Sequence, residues 1–371
     1  KGRVIYEKED PTRTVYQRDR DRIIHSSSFR RLKHKTQVFV NTEGDHYRTR
    51  LTHSMEVSQI ARTISRCLGL NEDLCESLSL AHDLGHTPFG HAGEDVLNIY
   101  MKNHGGFDHN IQTIRILTLI ENKYPNFFGL NLTIETLDGL IKHNGPLKKI
   151  SSFNKILNTK LFKNKIDFGK FPSLEAQVAS ISDDIAYNNH DLEDGLRAGL
   201  FTIDKLNTIP FIRDLTKKNY KNSKNFRREI IVNQIVRKLI NEMVVDVIRN
   251  TEKNLKKAKV KTINDIYKQK GMIVEFSPTM KIFDTQVKNF LKQNMYNHKK
   301  VIVNTNSCKI IIENLFKYLI KHPFKFINKK LFIKTPTERV VADFIAGMTD
   351  RYAINLHKSI KWIYLQILTA K

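Results

Sequence analysis

Apolar residues recur at three- and four-residue intervals along almost the whole chain, and this helical periodicity limits the fold more than any other feature. Strand-like alternation is short and scarce, and the chain contains no fixed-period repeat or low-complexity tract. The pattern therefore predicts an all-α protein, with at most a small β-hairpin. The 371 residues would suffice for two or three domains or for one continuous helical core, and no shift in composition marks a boundary.

The same spacing locates individual helices. Val57, Ile60 and Ile64 repeat at helical intervals up to Gly69, and Asn71 belongs to a residue type that caps the helix following it. The lysine- and asparagine-rich stretch 151–171 is instead predicted to be a surface insertion. Further helices are predicted over residues 94–102, 109–121, 133–143, from Ser173 through 185, and over 228–249, 307–321 and 336–357.

Lysine and arginine outnumber aspartate and glutamate by 62 to 38, which gives a net charge of +24. Such an excess attracts polyanions, including nucleic acid, acidic membranes and nucleotide triphosphates, without selecting among them. Compositional drift explains it equally well, because lysines are scattered over many predicted helices from residue 151 onward. A local concentration of basic residues close to several histidines predicts a phosphate-binding funnel, formed by Arg30, Arg31, Lys33, Lys35, Arg48 and Arg50.

The three cysteines are too few and too widely spaced for a disulfide framework or a thiolate zinc site, so we expect a reducing compartment. No stretch approaches the ~18 consecutive apolar residues of a membrane span, and the first residues lack the apolar core of a signal peptide. These features predict a cytoplasmic protein without a membrane partner.

Nine of the fourteen histidines fall between residues 25 and 109, and the densest stretch reads SLAHDLGHTPFGHAGE from Ser79 to Glu94. His82 and Asp83 are adjacent at the end of a predicted helix, about 100° apart around its axis, so both can reach one ion. A single His-Asp pair is weak evidence for a metal, because such dipeptides are common.

The metal hypothesis becomes stronger when His53 and Asp183 are added, because each lies in a helical segment and points away from the apolar stripe. Asp183, Tyr187 and Asp191 follow at four-residue intervals and share one helix face. Two imidazoles and two carboxylates suit a divalent ion with open positions for water and phosphate. We expect Mn²⁺ or Mg²⁺, with Fe²⁺, Co²⁺, Ni²⁺ or Zn²⁺ as alternatives.

The order His53, His82-Asp83, Asp183 resembles the HD-domain metal phosphohydrolases. Longer motifs across nearly the whole chain resemble the deoxyguanosinetriphosphate triphosphohydrolase-like family, at residues 18–39, 49–63, 81–94, 105–117, 175–196 and 342–353. The resemblance implies an HD-domain helical core over residues 49–195, elaborated by additional N-terminal and C-terminal helices. The C-terminal helical region would cover 196–371, and the whole of 1–371 would form a single unit.

The resemblance also implies an activity and a metal site. The family hydrolyses deoxynucleoside triphosphates, dGTP and others, at the α-phosphorus to give deoxynucleoside and tripolyphosphate, and so controls their pools. The metal ligands would be His53, His82, Asp83 and Asp183, and Asp184 would have a supporting or structural role.

The remaining site residues are assigned by the same resemblance. His91 would transfer a proton at the reacting phosphate or the 5′-oxygen, and Glu94 would orient it. His86, which we group with the catalytic residues, would line the phosphate pocket with His109 and Arg50. Gln37 and Asp191 would bind the sugar 3′-hydroxyl, and the ring of Tyr187 would pack against C2′.

Other histidines carry no motif. His25 and His34 are predicted to be core imidazoles bonded to the backbone. Surface or capping positions are predicted for His104, His143, His190, His298, His322 and His357.

Two alternatives stay open. One is another HD-type phosphohydrolase, such as a 5′-nucleotidase, a nucleotide phosphodiesterase or an alarmone hydrolase. The other is a DNA-binding protein with a vestigial metal site. The resemblance further implies a homo-oligomer, a hexamer by similarity, a nucleotide activator and single-stranded DNA as a partner.

Overall fold

The computed structural model describes residues 2–38, 47–147, 156–157, 162, 165–220 and 227–369. These residues form sixteen α-helices joined by short 3₁₀ and π turns, and within them only isolated β-bridges occur in place of strands. The predicted all-α class is confirmed. The helices are α1 Val15–Ile24, α2 Ser27–Arg31, α3 Arg50–Cys67, α4 Glu72–Ala81, α5 His91–Tyr100, α6 His109–Arg115, α7 Ile134–Ile141, α8 Leu174–Arg197, α9 Ile203–Leu206, α10 Pro210–Tyr220, α11 Arg228–Ala258, α12 Ile263–Tyr267, α13 Pro278–Leu291, α14 Lys299–Lys321, α15 Thr337–Ala346 and α16 Asp350–Thr369.

The centre of the fold is a group of three helices in mutual contact, α3, α4 and α8. Helix α11 covers α8 from one side, while α1 and α7 pack on α4. The apolar stripe of α3 that was read from the sequence is buried here, with Val57 and Ile64 fully enclosed beside Ile185 of α8. A separate apolar cluster joins α5 to the C-terminal helices α14, α15 and α16.

The boundaries of α3 and α4 follow from their capping residues. The Thr49 hydroxyl accepts a hydrogen bond from the Thr52 amide at the start of α3, and the Asn71 side chain does the same for Leu74 at the start of α4. Gly69 adopts a φ of +65° between the two helices, in the left-handed region that glycine tolerates. The predicted end of α3 before Gly69 and the predicted start of α4 after Asn71 are both confirmed.

Several boundaries differ from the prediction. The single helix predicted over 336–357 is two helices, α15 and α16. The reason lies in Asp350, whose buried carboxylate accepts hydrogen bonds from the backbone amides of Thr36 and Phe89 and so holds the first residue of α16 in place. Helix α11 extends beyond 249 and α14 begins before 307. Six helices were not predicted: α1, α2, α9, α10, α12 and α13.

The predicted surface insertion at 151–171 lies largely outside the described residues. The described parts divide: Lys165, Asp167 and Lys170 are exposed, whereas Leu157, Phe162 and Ile166 are buried in the apolar cluster around α4 and α7. The prediction was wrong for the three buried residues. It rested on the lysine-rich composition of the stretch, which obscured the apolar residues spaced among the lysines. Among the described helices, none is both long enough and apolar enough to cross a membrane.

Candidate active site

A polar cavity of about 250 Å³ opens where the C-terminal end of α4 meets α3 and α8. Most of the residues singled out from the sequence line it, whereas Glu94 and Asp191 are not among the lining residues. Its lining consists almost entirely of ionisable or amide side chains: Gln37, Arg50, His53, His82, Asp83, His86, His91, His109, Asn110, His143, Asn144, Asp183, Asp184 and Tyr187.

Three of the four predicted metal ligands converge in this cavity. The Nε2 atom of His53 is 2.9 Å from Oδ1 of Asp183, and Nε2 of His82 is 3.5 Å from the same oxygen. The potential ligand atoms of these three residues all lie within 4.8 Å of one another. The fourth, Asp83, places Oδ1 at 3.4 Å from His82 Nε2, but this carboxylate is also held by Arg50.

The donor set fits a divalent cation. His82 donates from Nδ1 to the carbonyl oxygen of Ser79 over 2.6 Å, which leaves the lone pair on Nε2. That buried Nε2 has no hydrogen-bond partner within the part of the chain that the structure describes. The rings of His53 and His82 are inclined by 61°, so their in-plane lone pairs can converge on one point.

Electrostatics at this donor set favour a positive charge. Burial alone would lower the pKa of His82, but the carboxylates of Asp83 and Asp183 outweigh it and raise the pKa to about 9. Burial likewise disfavours the Asp183 anion, yet the neighbouring imidazoles, His82 first, hold its pKa well below the usual range. A cation bound there would take the place of an imidazole proton, so its affinity should rise with pH.

Arg50, the first residue of α3, is buried and donates from Nη1 to Oδ2 of Asp83 over 2.8 Å. Gly90 lies directly beside it, with a φ of +55°, and a Cβ atom there would lie 2.8 Å from the guanidinium. The turn before α5 thus leaves room for the arginine because this residue has no side chain.

A second group of residues occupies the opposite side of the cavity. Glu94 on α5 accepts hydrogen bonds from the His109 imidazole at 2.9 Å and the His91 imidazole at 3.2 Å. Burial works against the Glu94 anion, but these two histidines outweigh it and lower its pKa. The pKa of His109 is lowered by burial but raised on balance by Glu94.

These residues and His86 also bring potential ligand atoms within 4.8 Å of one another. However, the rings of His86 and His109 are stacked 3.9 Å apart and inclined by only 17°. Lone pairs in nearly parallel stacked planes do not converge on one cation. The group as it stands is therefore better suited to hydrogen bonding and proton transfer. The two groups meet where His86 Nε2 approaches Asp83 Oδ1 at 3.1 Å.

Tyr187 lines the third side of the cavity, one helical turn after Asp183. Asp191 follows one turn later and is buried beneath it, where it accepts a hydrogen bond from the Tyr296 hydroxyl. Burial raises the pKa of Asp191 to about 7. Gln37 completes this side, and its buried Oε1 has no partner among the described atoms. Sequence reasoning missed Tyr296, which lies in a region without a recognised motif.

The surface role predicted for His143 and His190 is wrong. His143 lines the cavity, stacks on His82 and places Nε2 at 3.5 Å from Oδ2 of Asp183. His190 is buried, and its Nδ1 lies 3.5 Å from Nδ1 of His53. A signal was present for His190, because seven residues after Asp183 is almost two full turns along the same helix face.

The other histidine predictions have mixed outcomes. His298 caps α14, as expected for a capping residue, and His104 and His322 are exposed. His357 is buried against Asn314, contrary to its predicted surface position. The predicted core residues His25 and His34 are exposed instead.

The predicted basic funnel is also wrong, because Arg50 alone of its members lines the cavity. Lys35 is buried and donates to the carbonyl oxygens of His86 and Ala346, and burial lowers its pKa to about 7. Arg48 is engaged by carboxylates on α3 and α8. Burial of Lys35 and ion pairing of Arg48 therefore keep both side chains out of the cavity.

Asp184 is adjacent to Asp183 but directed differently. Its carboxylate accepts a hydrogen bond from Lys288 of α13 at 2.9 Å, and nearly half of its side chain is exposed. It therefore lies at the rim of the cavity and links α8 to α13.

Comparison with known proteins agrees with this architecture. Residues 50–188 match the HD domain model, and residues 274–359 match a phosphohydrolase-associated domain. A protein of Pelagibacter ubique is 57% identical over 97% of both chains. Proteins of Bartonella tribocorum and Brucella canis are 47% and 46% identical, over 95% and 96% of this chain and 91% and 92% of their own.

All three relatives are named deoxyguanosinetriphosphate triphosphohydrolase-like proteins. Their similarity extends over nearly the whole of each chain. The chain therefore belongs to the deoxyguanosinetriphosphate triphosphohydrolase-like family of HD-domain proteins.

Proposed function

We propose that this protein is a metal-dependent triphosphohydrolase that converts dGTP and other deoxynucleoside triphosphates to deoxynucleoside and tripolyphosphate. One observation carries the proposal: a cation-binding donor set and a carboxylate-histidine group share one cavity and meet at Asp83 and His86, 3.1 Å apart. Hydrolysis of a phosphate ester at neutral pH needs both charge neutralisation and a proton for the leaving oxygen.

The cation would be held by His53, His82, Asp83 and Asp183, with Mn²⁺ or Mg²⁺ as the first candidates. When bound, it supplies Lewis acidity to the α-phosphoryl group and to water. The chain's own contribution is charge: Arg50 lies beside this donor set, and its guanidinium would face the triphosphate. The raised pKa of His109 adds a second positive group.

Proton transfer falls to His91. Glu94 holds Nδ1 of His91 at 3.2 Å, so Nε2 is the nitrogen free to exchange a proton with substrate. In the reaction a water oxygen bonds to the α-phosphorus and the bond from phosphorus to the 5′-oxygen breaks. His91 would deliver a proton to that leaving oxygen, which gives a neutral deoxynucleoside, and the proton lost by the attacking water balances the one that His91 gave up.

Selection of the sugar would come from the third side of the cavity. The free Oε1 of Gln37 and the buried carboxylate of Asp191 can accept from a 3′-hydroxyl, while the ring of Tyr187 packs against C2′ and excludes a ribose hydroxyl. These assignments predict a preference for deoxyribonucleotides without predicting the base.

The decisive experiment incubates the purified protein with each of the four dNTPs and with GTP, in Mn²⁺ or Mg²⁺. Products are separated by chromatography and identified by phosphorus NMR. Deoxynucleoside with tripolyphosphate, from dNTPs and not from GTP, supports the proposal. Monophosphate with pyrophosphate would contradict it and indicate another HD-type phosphohydrolase.

A second candidate function is binding of single-stranded DNA, which the net charge of +24 favours. It is tested by the salt dependence of DNA affinity, where a slope of several units indicates several phosphate contacts and a flat line excludes the idea. We further propose a cytoplasmic homo-oligomer, a hexamer by family similarity, that responds to a nucleotide activator. Measurement of the particle size with and without dNTPs tests the oligomeric state and its response to nucleotide.

A further inference from the structure

We infer that His190 and Glu56 act as positioning residues, forming a hydrogen-bonded chain that fixes His53 for cation binding. The inference rests on the proposed use of His53 as a ligand, but not on the identity of the substrate. Neither residue belongs to the donor set, and neither is among the residues that line the cavity.

The chain consists of three side chains from two helices. Nδ1 of His190 on α8 lies 3.5 Å from Nδ1 of His53 on α3, and Nε2 of His190 lies 3.2 Å from Oε2 of Glu56. The imidazole of His190 is almost fully buried, and its ring stands nearly perpendicular to that of His53, at 85°. His190 therefore fills the space directly behind the candidate ligand.

The hydrogen-bonding capacity of these groups allows one consistent assignment of protons. A His53 that presents the Nε2 lone pair to a cation must carry its proton on Nδ1. His190 then has to accept at Nδ1, so its own proton is on Nε2. That proton is donated to Glu56, whose carboxylate can only accept. Each donor in the chain finds an acceptor, and the reverse assignment would leave the carboxylate facing a lone pair.

The far end of the chain is held in place by an ion-pair network. Arg48 donates to Oε2 of Glu56 at 3.0 Å and to Oε2 of Glu193 at 2.7 Å, and its other nitrogen contacts Asp194 at 3.3 Å. This joins the start of α3 to the second half of α8 across the chain of hydrogen bonds. The orientation of His53 is thereby linked to the packing of the two helices that supply the donor set.

Outer hydrogen bonds of this kind typically change metal affinity or activity by about 10- to 100-fold when they are removed. We therefore expect His190→Leu to bind Co²⁺ about 10- to 100-fold more weakly than the unaltered protein, with a changed visible absorption spectrum of the bound ion. His190→Gln should recover most of the affinity, because its amide can accept from His53 and donate to Glu56.

The experiment titrates the metal-free full chain with Co²⁺ and follows both affinity and spectrum, with thermal unfolding of each metal-free variant as a check on folding. His357→Leu is the matched control, since that histidine is also buried but bonded to Asn314 away from the cavity. Glu56→Ala tests the same chain through a partly exposed residue, should His190→Leu fail to fold. We expect several-fold weaker binding from it.

Unchanged Co²⁺ affinity and spectrum in folded His190→Leu, or in Glu56→Ala, would overturn the inference. An equal loss in His190→Leu and His190→Gln would also overturn it, because the hydrogen bonds would then be irrelevant. If wild-type protein fails to hydrolyse dNTPs while Co²⁺ binding depends on His190, the inference holds and the proposed function fails.

Discussion

The Nε2 atom of His53 lies 2.9 Å from Oδ1 of Asp183, although 130 residues separate them in the chain. The contact exists because α3 and α8 pack directly against each other, with the buried face of α3 continuing up to His53. His53 is enclosed, whereas Asp183 exposes 28% of its side chain to the cavity. The candidate metal site is thus built on the hydrophobic core, and its geometry depends on that core.

Removing a candidate ligand should abolish cation binding without unfolding the protein. We expect His82→Ala and Asp183→Ala to lower metal affinity by about 100-fold or more and to eliminate turnover, while helical content is unchanged. Calorimetric titration with Mn²⁺ and circular dichroism measure these effects. Asp184→Ala is the control, because its carboxylate pairs with Lys288 at the rim, and it should retain cation binding. Full turnover in Asp183→Ala would contradict the site assignment.

The stability of the metal-free protein should vary with pH through Glu94 and His109. The raised pKa of His109 means that its contribution is complete below its ordinary value near 6.5 and is lost as pH rises through the raised value. The lowered pKa of Glu94 means that its contribution is complete above its ordinary value near 4.5 and is lost in stronger acid. The pair therefore stabilises most between those two pH values.

Glu94→Gln should accordingly reduce the free energy of unfolding by about 1–3 kcal/mol near pH 5.5, and by less at pH 9. Denaturant titration at a series of pH values measures this difference. Glu313→Gln serves as the control, since its pair with Lys317 is exposed to solvent and should contribute little to stability at any pH. A loss of stability that is the same at every pH would refute the assigned ion pair.

Tyr187→Ala should weaken discrimination against ribonucleotides, because the ring is the group expected to block a 2′-hydroxyl. We expect the ratio of kcat/KM for dGTP to that for GTP to fall by about 10-fold or more. Steady-state kinetics with both nucleotides gives the ratio directly. If rejection of GTP is unaltered, the sugar filter must lie elsewhere in the cavity.

Tyr296→Phe should impair binding of the sugar by removing the hydroxyl that donates to Asp191. Loss of one hydrogen bond to this buried carboxylate is expected to raise KM for dNTPs by about 10-fold, with a smaller effect on kcat. Tyr100→Phe is a matched control, because its hydroxyl bonds to Glu313 far from the cavity lining. A KM equal to that of the control would show that Tyr296 supports the fold alone.

Parts of the candidate site could be read from the chain because their geometry is local. His82 and Asp83 were expected at the end of a helix, and α4 does end at Ala81. The four-residue interval from Asp183 to Tyr187 likewise put both on one helix face, and both line the cavity. In each case the relevant contacts are between residues within two turns of each other.

Other features could not be read in this way. Lys35 and Arg48 were expected to face phosphate, but the packing of neighbouring helices buries one and pairs the other with carboxylates. Tyr296 and His143 carry no local signal, because they contact residues of α8 only when distant segments pack against that helix.

The all-α class, most of the long helices and the residue types available for metal and phosphate chemistry can be read from the chain alone, since helical periodicity and capping depend on near neighbours. Only the packing of the helices decides which of the fourteen histidines line one cavity and which lysine and arginine side chains lie outside it. The physical reason is that hydrophobic burial sets how helices pack, while side-chain contacts across that packing join residues far apart in the chain.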